Sequence, residues 1–177
     1  MEEPKTDRGV NLFGMFLVVI AFIAAILYAT TALAAQDSMW FLKGFHQSPD
    51  QVVVYAKGVK KVFRQGDPGF EPLAEAVRLS LDKGIARQSG IGMGEQTLKD
   101  AYAQYVTVEA LFLSPAKLHA WFNTYDPTQM LFPITGRHSE LSVVFLGMRG
   151  KYMSNGPVLK DMSPLRSALK DLGYIDD

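Results

Sequence analysis

The chain has 177 residues, no cysteine, and 18 Lys and Arg against 18 Asp and Glu. Without cysteine there can be no disulfide, thiolate zinc site, C-x-x-C-H haem attachment or acylated-cysteine anchor. Balanced charge without a basic cluster argues against a nucleic-acid partner and against a polybasic headgroup site.

Residues 1–11, MEEPKTDRGVN, read as a short cytoplasmic N-terminus. Residues 12–35, LFGMFLVVIAFIAAILYATTALAA, carry no charge and no proline. Coiled as a helix they reach ~36 Å, against a hydrocarbon core of ~30 Å, so a transmembrane helix is expected. Ala32-Leu33-Ala34 has the small-x-small form of a signal-peptidase site. The uncharged run is longer than a signal core of ~7–15 residues, however, and Glu2, Glu3 and Asp7 dilute the positive flank, so an uncleaved anchor is expected. Lys5 and Arg8 precede the run and only Lys43 follows closely. This bias places the N-terminus in the cytoplasm and the main domain outside it, periplasmic or at the cell surface. The bilayer is thus the first expected partner. Ala21, Ala25 and Ala29 recur at four-residue spacing, a small face that lets another membrane helix approach closely.

Residues 36–50 read as a juxtamembrane linker. Its Trp40, Phe41 and Phe45 are expected at the membrane–water interface, where aromatic rings concentrate; packing beneath the folded domain is the alternative.

Residues 51–177 read as one domain. Gln51–Ala56 and Val59–Arg64 are strands joined by a tight Lys57-Gly58 turn. Lys60, Lys61 and Arg64 fit a solvated sheet edge. Asp67-Pro68 reads as the cap and first position of a helix whose Phe70, Leu73, Ala74, Val77 and Leu81 share a face. Gly84 stops it. Residues 88–95, with three glycines, read as a mobile surface loop. A short helix follows over Glu95–Ala103, then a strand over Gln104–Leu113. Ser114-Pro115 is expected to start a short helix reaching Phe122. Met130–Ile134 and Leu141–Met148 read as strands, with another short one around Tyr152 and a turn at Asn155-Gly156-Pro157. Ser163-Pro164 opens a last helix that Gly173 ends. This order points to an α+β fold: one N-terminal transmembrane helix, then a small domain with a mainly antiparallel sheet and three to four helices.

Chemistry is sparse. Gly90, Gly92 and Gly94 follow a helix rather than a strand, lack the spacing of a dinucleotide fingerprint, and precede no Walker lysine-serine pair. His46, His119 and His138 lack the helical spacing of a metal pair. Asp126, His138 and Ser139 resemble a nucleophile set only in composition, with no nucleophile elbow. Glu71 and Glu75 fit a solvated helix face. No catalytic residue, metal or cofactor is therefore expected. Trp121 and Tyr125 flank a helix end where not every ring can face inward, and are candidate protein contacts.

The reading is a non-catalytic single-span accessory subunit of a larger respiratory, photosynthetic or transport assembly. It would dock on other membrane subunits through its helix and brace them with its outer domain. The alternatives are a membrane-anchored ligand-binding or sensing module and a membrane-tethered hydrolase.

Overall fold

The computed structural model describes residues 11–176. The N-terminal basic flank, Lys5 and Arg8, lies outside the described residues. Helix α1, Leu12–Ala35, is continuous over 24 residues and begins where Asn11 Oδ1 accepts the Gly14 N–H at 3.0 Å. Among the described residues it is the one helix long and apolar enough to cross a membrane. Its side chains are almost all exposed; Ala35 alone is buried.

The rest is α+β, as the pattern implies. The strands are β1 (Gln51–Ala56), β2 (Val59–Arg64), β3 (Ile85–Gln88), β4 (Val106–Leu111), β5 (Gln129–Pro133), β6 (Phe145–Met148), β7 (Lys151–Tyr152) and β8 (Pro157–Leu159). The helices are α2 (Phe70–Asp82), α3 (Glu95–Ala103) and α4 (Ser163–Asp171). Six strands form one sheet in the order β2-β1-β4-β5-β6-β7, with every pairing antiparallel. β3 and β8 form a separate ribbon. The β1–β2 hairpin turns on Lys57 (φ 49°) and Gly58 (φ 85°), the left-handed pair that matches strand twist. β2 is an outer edge. Lys60 and Lys61 extend over the Tyr55 and Phe63 rings, covering apolar surface while their charges discourage further pairing.

The sheet is covered on both faces. On one, Val54, Val108 and Phe132 meet Leu73 and Val77 of α2 and Leu165 and Leu169 of α4. On the other, Leu131 and Phe145 meet Val158, with Ile91, Met93 and Leu98 packed around them. Gly173 (φ 75°) closes α4 as expected. Its N–H bonds the Lys170 carbonyl at 2.9 Å and the Tyr174 N–H bonds Leu169 at 2.9 Å, which satisfies two end carbonyls.

Several local expectations change. Ile85–Gln88 is strand β3, so a strand and not a helix precedes the glycine run, and the expected strand over Leu141–Met148 is a 3-10 turn at Ser139–Leu141 with β6 starting only at Phe145. α2 starts at Phe70 rather than at Pro68, with Gly69 as N-cap; Asp67 Oδ2 instead takes the Arg64 N–H at 2.8 Å and closes the turn after β2. Residues 114–122 form no helix. Ala116, Leu118, Ala120 and Phe122 are buried while Lys117 and Trp121 are exposed. That is an extended period of two, and burial of this alternating set outweighs the Ser-Pro start signal. The glycine-rich stretch is held rather than loose. Ser89 and Asn155 donate backbone N–H groups to Gly156 and Ile91 at 2.9 and 3.0 Å, continuing the β3–β8 pairing.

Leu169→Ala is expected to cost about 2–5 kcal/mol, because its side chain is fully enclosed between α4, α2 and the sheet. Leu113→Ala, at an 87% exposed position, should change stability by no more than about 0.5 kcal/mol. Urea titration of both variants checks the contrast.

Candidate functional site at the end of the apolar helix

A helix end leaves carbonyls without partners. At the end of α1, Gln36 adopts a left-handed conformation (φ 54°), and its N–H reaches the Leu33 carbonyl at 3.3 Å while the Asp37 N–H reaches Ala32 at 3.1 Å. The chain then turns on itself, with the Tyr28 hydroxyl bonding the Ser38 carbonyl at 2.9 Å. Two side-chain bonds tie this end to the domain. His119 Nδ1 lies 2.7 Å from Asp37 Oδ2, and Asn123 Nδ2 donates to Gln36 Oε1 at 2.7 Å. Partial burial works against the Asp37 charge, but the His119 bond and the Met39 N–H outweigh it and hold the carboxyl below its usual range.

Beyond the joint, the linker is part of the fold. The Phe45 N–H donates to Asp82 Oδ1 at 3.0 Å, and its ring meets Phe112 edge-on at 6.0 Å. Phe45 is 3% exposed and belongs to the core, not to a membrane-facing collar. The reason is position: it follows Gly44 (φ 107°), and Asp82 and Phe112 engage its backbone and its ring. Phe41 is exposed and Trp40 half-buried; the two rings stand edge to face at 6.0 Å, with Tyr28 beside Phe41 at 6.3 Å. Trp121 and Tyr125 are exposed, as the aromatic crowding implied. Their loop is organised by Asn123, whose Oδ1 accepts the Tyr125 N–H at 2.7 Å, and by Thr124, whose hydroxyl donates to the Leu118 carbonyl at 3.2 Å. Ala21, Ala25 and Ala29 are exposed on α1.

Between the last turns of α1 and the domain lies a cleft of about 1150 Å³. Thr30, Thr31 and Ala34 form one wall; Trp40, Trp121 and Tyr125 line it from the linker and the loop. Its floor includes Gln88, Tyr152 and Asn155. Among the described residues no Asp, Glu, Lys, Arg or His lines it.

Tyr152 connects the cleft to a buried polar cluster. Glu109 sits on the central strand β4, 9% exposed. It accepts hydrogen bonds from the Tyr55 hydroxyl at 3.1 Å and from the Tyr152 hydroxyl. The Tyr102 and Tyr152 hydroxyls lie 3.5 Å apart, and the Tyr55 and Tyr102 rings stack at 4.2 Å. Burial, helped by the Glu109 charge, pushes Tyr102 up to about 12 and holds Tyr55 and Tyr152 above the ordinary phenol range. All three phenols are therefore donors near neutrality, and the buried carboxylate is satisfied. Tyr152 pairs with Gly147 across the β6–β7 ladder and leans over it. A Cβ at Gly147 would come within 2.6 Å of the Lys151 carbonyl and 2.8 Å of the Tyr152 ring.

The sequence motifs do not converge elsewhere. Ser139 Oγ donates to the Gly136 carbonyl at 2.7 Å, and the His138 ring lies against Phe145. Burial and the Arg137 charge lower the His138 pKa. No hydrogen bond among the described residues links Ser139, His138 and Asp126. Glu75 pairs with Arg78 at 2.6 Å on the solvated face of α2. No group of three His, Cys, Asp or Glu that could hold a metal occurs among the described residues.

Sequence reasoning missed the Glu109 cluster and the cleft. The signal for the first was a glutamate inside a strand otherwise free of charge, with three tyrosines nearby in the fold but distant in sequence. The molecule is thus an α+β domain joined to one helix long and apolar enough to cross a membrane, with a neutral cleft at the joint. Comparison with protein-family models, with curated proteins and with solved structures returns no match.

Tyr152→Phe removes one donor to a buried carboxylate and should cost about 1.5–3 kcal/mol in chemical denaturation. Gly147→Ala should cost about 1–3 kcal/mol through overpacking, with Tyr152 displaced from Glu109. Asp37 supplies a separate check. Its carboxyl is held below the ordinary Asp value of ~3.9, so its contribution is present above that value and lost as pH falls through the lowered one. The gap in melting temperature between wild type and Asp37→Asn should be open at neutral pH and close under acid conditions below about pH 4.

Proposed function

We propose that the chain is a non-catalytic, single-span accessory subunit of a larger membrane assembly, with its N-terminus cytoplasmic and its domain outside the cytoplasm. The observation that carries this reading is the joint between α1 and the domain. A tether that merely confines a domain to a membrane needs only a flexible linker. Here the helix end is capped at Gln36, paired through Asp37 and His119, and latched by Asn123, and the linker is folded into the core at Phe45. Such a joint makes the orientation of the helix the orientation of the domain, which is what bracing a partner requires. The Ala21, Ala25 and Ala29 face, which is exposed, would allow close approach of a partner helix. No enzyme activity forms part of this proposal.

A second reading, a membrane-anchored ligand-binding module, is favoured by the cleft between Thr31, Trp40 and Trp121. Its volume of about 1150 Å³ lies a little above the ~300–1,000 Å³ usual for small-molecule sites.

Ala25→Phe should abolish co-purification of partner subunits in mild detergent while membrane insertion continues, because the added ring holds a neighbouring helix away. Quantitative mass spectrometry of the purified material reads the result. Undiminished co-purification, or a wild-type protein that extracts alone, counts against the accessory role.

A further inference from the structure

We infer that the cleft at the end of α1 seats the headgroup of a membrane lipid that is uncharged and rich in hydroxyls, a glycosyl diacylglycerol by chemical class. The inference rests on the span and ligand-binding readings above.

Three observations carry it. The first is where the cleft opens. Thr30, Thr31 and Ala34 lie in the last turn and a half of α1, within ~8 Å of its end. If α1 crosses the bilayer, this wall stands at headgroup level, and the molecules that meet it are lipids. The second is the aromatic lining. Trp40 and Trp121 are the only tryptophans in the chain, and both line this one cleft together with Tyr125. Indole and phenol rings combine an apolar face with a polar edge, which suits the interface and the faces of a sugar ring.

The third is charge. A phosphate in this cleft would find no lysine, arginine or histidine among its lining residues, and an unpaired buried charge is costly. A hydroxylated neutral group fares differently. The side chains of Gln88, Ser154, Asn155 and Thr31 line the cleft and form no hydrogen bond within the described residues, so amide and hydroxyl donors and acceptors are available together. Amides and hydroxyls each both donate and accept, as sugar hydroxyls do. Asn123 shapes the wall but is occupied by its bonds to Gln36 and Tyr125.

The test uses the full chain in phosphatidylcholine nanodiscs doped with monoglucosyl diacylglycerol or, separately, with phosphatidylglycerol. Since both tryptophans line the cleft, intrinsic fluorescence reports occupancy directly. Expected is a saturable spectral change with the glucolipid only, its half-point moved about three- to tenfold higher in Asn155→Ala and in Thr31→Val, as befits loss of one hydrogen bond. Thr31→Val keeps the side-chain shape on an already formed helix and carries the test if Asn155→Ala fails to fold. An equal response to phosphatidylglycerol, no saturation with either lipid, or unshifted variants would overturn the assignment. Alkaline carbonate washing of native membranes separates the causes. Release of the protein sinks the span reading and the lipid site with it; retention without a saturable response sinks the lipid site alone.

Discussion

The end of α1 sets the constraint on which the remaining structure depends. An apolar helix 24 residues long finishes with carbonyls that need donors. The protein answers with backbone first: Gln36 goes left-handed and its N–H and that of Asp37 turn back on Leu33 and Ala32. A glutamine in that conformation is held less cheaply than a glycine would be. The side chains of Gln36 and Asp37 then find Asn123 and His119, partners 80 and more residues away, and the helix becomes an element of the fold.

That attachment explains the irregular segment between β4 and β5. Residues 113–128 form neither helix nor ladder strand, yet Ala116, Leu118, Ala120 and Phe122 are buried. Their extended course carries His119 and Asn123 to the helix end and leaves Trp121 on the cleft side. The backbone is anchored where the Ala116 N–H meets the Pro127 carbonyl at 2.8 Å. Two consecutive left-handed residues, Tyr125 and Asp126, then reverse the chain into β5. Such conformations cost energy at non-glycine residues, and the Asn123 bonds help hold them.

Much of this architecture was legible in the sequence because it is written in local periods. The α1 run, the β1–β2 hairpin, α3 and the Gly173 stop follow from composition, turn chemistry and capping. Failures occurred where a distant partner decided the outcome. Ser114-Pro115 carries a helix-start signal, but its following residues are sorted in twos by the surface they cover. Phe45 has the composition of an interfacial aromatic, and only the return of the chain over Phe112 buries it. Glu109 was hidden for a related reason. Alternation along β4 places Val108 and Ala110 on one face, and nothing local reveals that the opposite face, too, is covered by α3 and its approach. The cleft has no local signal at all, because its walls come from segments near residues 30, 40, 88, 121 and 155.

The two side-chain contacts at the joint have one mechanical consequence. If α1 spans a bilayer, a helix of ~36 Å in a hydrocarbon layer of ~30 Å takes up its excess length partly by tilting, and a thinner bilayer asks for more tilt. With Asp37 and Gln36 held by His119 and Asn123, the domain would then lean with the helix. The sheet would then act as a lever arm, turning a change in bilayer thickness at one end into a swing of the β2 edge at the other.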